Sequence, residues 1–241
     1  MSFASTRDFW KFRRSVLRES RHIFSDEVEK FLDEVRATCE KRIKSLPPNK
    51  QLWRAQIGHS WWFDKELDDS RPCPYDAERM KPPPDKAREG RANPKGIPVL
   101  YLANKRETAV SEVRPWIGSI VSLAQFTTEK ELRLVVCTEG LDEFPIYFEE
   151  PAPEEIEKAI WAEISKAFAE PVSPSDEVAE YAATQILAET FKKSGADGIV
   201  YKSNFGDEGH NIVLFDVNAV NQLSCSLVDI KKIAINISDY Y

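Results

Sequence analysis

Two arginines, a tyrosine and a glutamate stand in segments whose neighbours narrow their setting. They lie in Trp53-Arg54-Ala55, in a block from Gly90 to Ala103 with Arg91 at its start and Tyr101 near its end, and in Ser111-Glu112-Val113-Arg114. Further along come Gly198-Ile199-Val200-Tyr201-Lys202-Ser203 and His210-Asn211-Ile212-Val213-Leu214-Phe215. A planar guanidinium suits two-point contact with phosphate oxygens, so Arg54 and Arg91 can clamp an anion. The Glu112 carboxylate can stabilise a sugar carbon that turns cationic as its bond stretches. Tyr101 offers a ring face and Ser203 a hydroxyl donor. Each also has a plainer reading. Arg54 could serve a structural ion pair, Arg91 a solvated loop, Tyr101 the core and Glu112 a surface pair with Arg114 or Lys105. Ser203 and Asn211 could simply form turns.

Several chemistries are excluded by what the chain lacks. It has no GxxxxGK[ST] phosphate loop, no strand-linked GxGxxG, and no HExxH, GxSxG or EF-hand pattern. Cys39, Cys73, Cys137 and Cys225 are scattered without a CxxC pair, and His22, His59 and His210 stand alone. No metal site is therefore expected, and the cysteines read as free thiols. A formal charge of −7 argues against direct nucleic-acid binding while leaving room for a local basic pocket. No run approaches the ~18 apolar residues of a membrane span, and the start lacks a signal-peptide pattern. A cytoplasmic protein without membrane contact is expected.

The elements that must hold these residues follow from periodicity. With 241 residues and 42% hydrophobic content the chain can bury a real core. Residues 5–46 read as a helical hairpin. Its second helix carries Val28, Phe31, Leu32, Val35, Cys39, Ile43 and Leu46 on one face, with Asp26 and Glu29 as a capping pair and Pro47-Pro48-Asn49 as the stop. A strand is expected at 52–55, then an irregular stretch over 58–96 in which six prolines oppose regular ladders. Within it, Trp61-Trp62-Phe63 reads as a lid or an apolar patch. A buried strand at 98–103 and a short helix at 105–114 follow. Strands are expected at 118–126 and 132–137. A helix opening at Pro151 carries Ile156, Ile160, Ile164 and Phe168, and another runs from 176 to 194 with Gly195 as its stop. Strands at 198–201 and 211–215, and one ending near Ile237, complete an α+β chain with no βαβ repeat. We divide it into an N-terminal helical extension, 1–49, and a main domain, 50–241.

The order Arg54, Arg91, Tyr101, Glu112, Ser203, with Gly-Arg-Ala-Asn-Pro-Lys-Gly-Ile-Pro-Val-Leu-Tyr-Leu-Ala ahead of the glutamate, resembles the RES domain family over roughly residues 50–220. The resemblance implies an ADP-ribosyltransferase-like fold of small mixed sheets flanked by helices, with NAD+ bound in a cleft between sheets. It implies NAD+ as substrate and no cofactor. It places the family's two arginines on Arg54 and Arg91, its tyrosine on Tyr101, its glutamate on Glu112 and its serine on Ser203. Asn211 matches an asparagine that follows the serine strand. Catalytic roles fall to Glu112, Arg54 and Tyr101, and NAD+ contacts to Arg54, Arg91, Tyr101, Ser203 and Asn211.

The activity so implied is NAD+ glycohydrolysis or phosphorolysis by an intracellular bacterial toxin or defence effector, often paired with a separate Xre-type antitoxin. Transfer of ADP-ribose to a macromolecule would use the same site, and a nucleotide-binding regulatory module without turnover is the non-enzymatic alternative. Some 50 residues precede Arg54, more than small members of the family carry. These helices could cover the cleft, form a homo-oligomer or present a partner surface.

Overall fold

The computed structural model describes residues 3–66, 68–83, 86–141, 149, 151–170, 178–205, 208–234 and 237. Two helices open the chain, α1 (Asp8–Arg18) and α2 (Asp26–Cys39). The cap of α2 is Ser25, whose hydroxyl accepts from Val28 N, so the expected Asp26–Glu29 pair is replaced by a serine one residue earlier. The helix also ends sooner than its apolar spacing suggested. Ile43–Leu46 is strand β1, paired antiparallel to β7 (Leu132–Cys137). An i, i+3 pair such as Ile43 and Leu46 fits the helical period, and the open edge of β7 decides otherwise.

The remaining strands are β2 (Gln51–Ile57), β3 (Ser60–Asp64), β4 (Asp69–Cys73), β5 (Leu100–Ala103), β6 (Ile120–Thr128), β8 (Gly198–Lys202), β9 (His210–Leu214) and β10 (Val220–Asp229). The other helices are α3 (Arg106–Glu112), α4 (Pro153–Ala169) and α5 (Ala182–Lys193). The expectation of α+β holds. Three boundaries differ from the sequence reading. Helix α5 begins at Ala182 behind a 3-10 turn, and the residues before that turn, 171–177, lie outside the described set. Strand β10 stops at Asp229, well before Ile237. The stretch 58–96 contains the hairpin β3–β4, where Pro72 opposes Trp61. A proline is tolerated there because a two-stranded ribbon leaves each strand a free edge.

Eight strands form one sheet in the order β1-β7-β8-β9-β5-β2-β6-β10. The sheet is nearly parted in the middle, because β5 and β2 meet at the single pair Trp53↔Ala103. Residues directly opposite one another share a face. Register therefore defines a row Trp53–Ala103–Asn211–Tyr201–Cys137 across five strands. Two residues away runs a second row, Tyr101–Val213–Ile199–Val135–Ile43.

That face carries two apolar clusters. One joins Val135, Cys137, Ile199 and Val213 to Phe9, Phe12, Phe31 and Val35 of α1 and α2 and to Ile160, Phe168, Leu187 and Phe191 of α4 and α5. The N-terminal helices thus complete the same core as the later ones. The other cluster gathers Ala55, Ala103, Val121 and Leu123 under Ala109 of α3. The opposite face buries Leu52, Leu100, Leu102, Leu134, Phe126 and Leu214 beneath Met80 and Tyr75. Between the two clusters on the helical face lies a polar seam.

Candidate active site

Glu112 is the last residue of α3 and hangs over the Asn211 row. Its Oε1 accepts from Ser203 Oγ at 2.7 Å and from Asn211 Nδ2 at 2.6 Å. Both donors are buried, whereas Glu112 is exposed. One oxygen is thus fixed by two neutral donors, and the carboxylate stays open to a ligand. Ser203 is itself set by the turn that follows β8, with its N–H on Gly209 O and its hydroxyl accepting from Phe205 N. Gly209 is required by closeness: a Cβ there would come within 2.6 Å of Thr108 Oγ1 on α3. Its bareness lets α3 settle near β9 and bring Glu112 to its donors.

Arg54 occupies the fork where β2 and β5 separate. Its Nη1 donates to Tyr101 O at 2.9 Å, replacing a ladder bond that the parted strands do not make. Its Nε is buried with no partner among the described residues. No acidic side chain among the described residues pairs with it. Burial lowers its pKa from the usual 12.5 to about 10, a fall that nearby Tyr101 partly offsets. The group therefore remains cationic at neutral pH while lacking a counterion. A buried, uncompensated guanidinium is costly, and it is what an anionic ligand would complete.

Tyr101 has its hydroxyl engaged within the fold. Its hydroxyl donates to Asn93 Oδ1 at 2.8 Å and accepts from Ala92 N at 3.0 Å. The hydroxyl is occupied in holding the Gly90–Asn93 turn against β5. Burial pushes its pKa far up, against the pull of the Ala92 N–H and of Arg91, so it stays protonated. Asn93 Nδ2 in turn donates to Arg88 O, Pro94 O and Ile97 O. Gln185 of α5 donates to Gly90 O and Asn93 O at 2.9 and 3.0 Å. Gly90 must lack a side chain, because a Cβ would sit 2.5 Å from the Tyr101 hydroxyl.

This scaffold aims Arg91. Its guanidinium lies 5.6 Å from the Tyr201 ring centroid, and Nη1 donates to Phe168 O near the end of α4. Tyr201 lies on the face of Tyr101 and Asn211. Burial raises its pKa, Arg91 opposes that rise, and Tyr101 and Glu112 add to it. The buried ring thus feels the Arg91 cation and the Glu112 carboxylate together, and those two residues border one seam. Tyr101 likewise feels both arginines.

Arg91, Tyr101, Glu112, Ser203 and Asn211 border one face of the sheet, whereas Arg54, which alternation places with Leu52 and Ala124 on the other face, reaches into the fork between β2 and β5 and bonds Tyr101 O. Ser203 and Asn211, expected to touch the substrate, both donate to Glu112 Oε1. Sequence reasoning missed Asn93, Gln185 and Tyr201 as parts of the site. A polar Gln185 among Ala182, Ala183, Leu187 and Ala188 was the available signal. Trp61, Trp62 and Phe63 lie on the β3–β4 hairpin, each more than half exposed. Arg114 stacks on Phe205 with the positive φ of 47°. No cluster of His, Cys, Asp and Glu fit for a metal occurs among the described residues. No described helix is long and apolar enough to cross a membrane.

A family model, the RES domain, matches residues 51–231. Among solved structures, a chain of the M. tuberculosis MbcT–MbcA toxin–antitoxin complex is similar, at 13% identity and a TM-score of 0.45, over 83% of this chain and 94% of that one. No curated protein matches.

Proposed function

The chain belongs to the RES domain family, and from that premise we propose that the seam between α3 and the α4–α5 pair binds NAD+ and breaks its nicotinamide–ribose bond. The carrying observation is the Glu112 carboxylate, fixed by Ser203 and Asn211 on the sheet face that also presents Tyr101 and Tyr201. Arg54 and Arg91, neither paired with an acid among the described residues, supply the charge that a pyrophosphate needs.

The bond from ribose C1′ to the pyridinium nitrogen breaks heterolytically. Its electron pair goes to the nitrogen, neutral nicotinamide departs, and positive charge passes to the ribose carbon. Glu112 stabilises that charge and can also bind the ribose hydroxyls. Water then adds at C1′ and loses a proton to solvent, giving ADP-ribose, or phosphate adds and gives its 1″-phosphate. The leaving group needs no proton, which suits a site whose tyrosine hydroxyl is engaged in holding a loop. Preorganisation is the main lever: Ser203 and Asn211 both hold one carboxylate oxygen of Glu112.

In the cell, this reading makes the protein an NAD+-depleting toxin or defence effector restrained by a separate antitoxin, as family membership suggests. Carbon-labelled NAD+ incubated with purified protein, with and without phosphate, tests the chemistry. Free ADP-ribose supports hydrolysis, and ADP-ribose 1″-phosphate supports phosphorolysis. Label retained on protein would replace both with transfer to a macromolecule. Intact NAD+ that only raises Tm would replace them with a binding module.

A further inference from the structure

A second site lies away from the seam, in the groove between α1 and α2. The groove encloses about 490 Å³ and is lined by Phe3, Trp10, Phe31 and Glu34, among others. That is the size of a small-molecule pocket. Glu34 is unusual there. It is 2% exposed, and its Oε2 is buried without a hydrogen-bond partner among the described residues. Of the other acids that line the groove, Asp8, Glu19 and Glu27 have side-chain partners. Asp8 accepts from Ala4 N and Ser5 N, and Lys11 bonds Glu27 at 3.0 Å and lies 3.6 Å from Asp8. Lys30, one turn before Glu34, makes no ion pair with it.

The walls decide the kind of ligand. Phe31 stacks on Phe12 at 4.8 Å and tilts against Phe3 at 5.6 Å, and Trp10 is 59% exposed at the rim beneath Arg14. The Trp10 ring already carries the Arg14 guanidinium, so the charge of the lining decides: the five acids Asp8, Glu19, Asp26, Glu27 and Glu34 outnumber the three bases Lys11, Arg14 and Lys30, which favours a cation with an apolar part. A divalent metal would need about six or more oxygen ligands, which a single buried carboxylate does not supply. An anion would meet Glu34 as a like charge. We propose that the α1–α2 groove is a binding site for an arylalkyl- or alkylammonium ion, whose ammonium group pairs with Glu34 while its apolar part lies against Phe3, Phe31 and Trp10. The site is independent of NAD+ chemistry.

Saturation-transfer NMR on the full chain tests this with 2-phenylethylammonium and its neutral analogue 2-phenylethanol. The ammonium ion is expected to bind more tightly than the alcohol. Glu34→Gln, which keeps the shape and removes the charge, is expected to weaken the ammonium about tenfold, the loss of one charge-assisted hydrogen bond. It should leave the alcohol unchanged. Trp10→Ala, at an exposed rim position, is expected to weaken the ammonium while Glu34 stays intact, and it serves if the Gln variant does not fold. Equal binding of ammonium and alcohol by the wild type, undiminished ammonium binding by folded Glu34→Gln, or no ammonium binding at all would overturn the proposal.

Discussion

Asn211 Nδ2 stands 2.6 Å from Glu112 Oε1, joining a buried strand residue to the end of a helix on the same sheet face. With Ser203 Oγ at 2.7 Å, it leaves the carboxylate little freedom to turn. On the proposed reading, Asn211 and Ser203 act by positioning Glu112. Asn211→Leu, similar in volume, is expected to lower kcat for nicotinamide release by about tenfold while KM for NAD+ changes little, because an anchor worth about 1–3 kcal/mol is lost. Steady-state kinetics separates the two. A rise in KM alone would make Asn211 a substrate contact.

On the proposed reading, Arg54 trades stability for NAD+ binding. Replacing it by Met removes a buried, unpaired charge, a change worth about 1–4 kcal/mol in favour of folding, against about 1 kcal/mol for the lost bond to Tyr101 O. Arg54→Met is expected to raise Tm in the absence of ligand and to abolish the stabilisation given by NAD+. Thermal denaturation with and without NAD+ reads both. A lower Tm with NAD+ stabilisation intact would contradict the assignment.

The same residue sets a pH limit. Its folded-state pKa, about 10, lies below its unfolded value, so the cost of burying its charge is present at neutral pH and is relieved as pH rises through about 10 toward 12.5. Binding runs the other way, since the phosphates need the protonated form. NAD+ affinity is expected to stay flat between about pH 7 and about 9 and to fall above about 10, earlier than an ordinary arginine would allow. Calorimetric titration across that range checks it.

The Arg91 turn has a steric signature. Gly90→Ala would drive a methyl group into the Tyr101 hydroxyl, 2.5 Å from the new carbon. We expect a loss of about 1–3 kcal/mol in stability and weaker NAD+ binding. Gln185→Ala, which frees Gly90 O and Asn93 O without a clash, should weaken NAD+ binding with a smaller loss of stability. Unchanged affinity in both would detach the turn from the site.

The N-terminal helices are expected to be indispensable for folding. Phe12 is 1% exposed and packs in the cluster that contains Phe168 and Phe191. Phe12→Ala should cost about 3–5 kcal/mol, and a chain beginning at residue 50 should be insoluble. Denaturant unfolding and solubility assays measure these effects.

Much of this architecture could be read from residues alone, and the exceptions have physical reasons. The strand carrying Tyr101, the short helix ending in Glu112 and the stripe Ile156–Ile160–Ile164–Phe168 follow from periodicity that packing does not override. The strand Ile43–Leu46 was hidden because its apolar spacing also suits a helix, and only the free edge of β7 selects pairing. The β3–β4 hairpin was hidden by Pro72, which an isolated ribbon accommodates. In the site, the order of Arg54, Arg91 and Glu112 drew attention to them. The duty of the Tyr101 hydroxyl toward Asn93, and of Gln185 toward the Arg91 turn, depends on contacts between residues remote in sequence. No local pattern encodes those.

The most direct measurement is the rate of nicotinamide release from NAD+ by purified wild type and Glu112→Gln, with and without phosphate. The wild type should release nicotinamide, and the variant, folded and still stabilised by NAD+, should be slower by about 10²-fold or more, the scale of losing a preorganised electrostatic group. Equal rates in the two proteins would contradict the role given to Glu112, and no release by the wild type would contradict NAD+ cleavage itself.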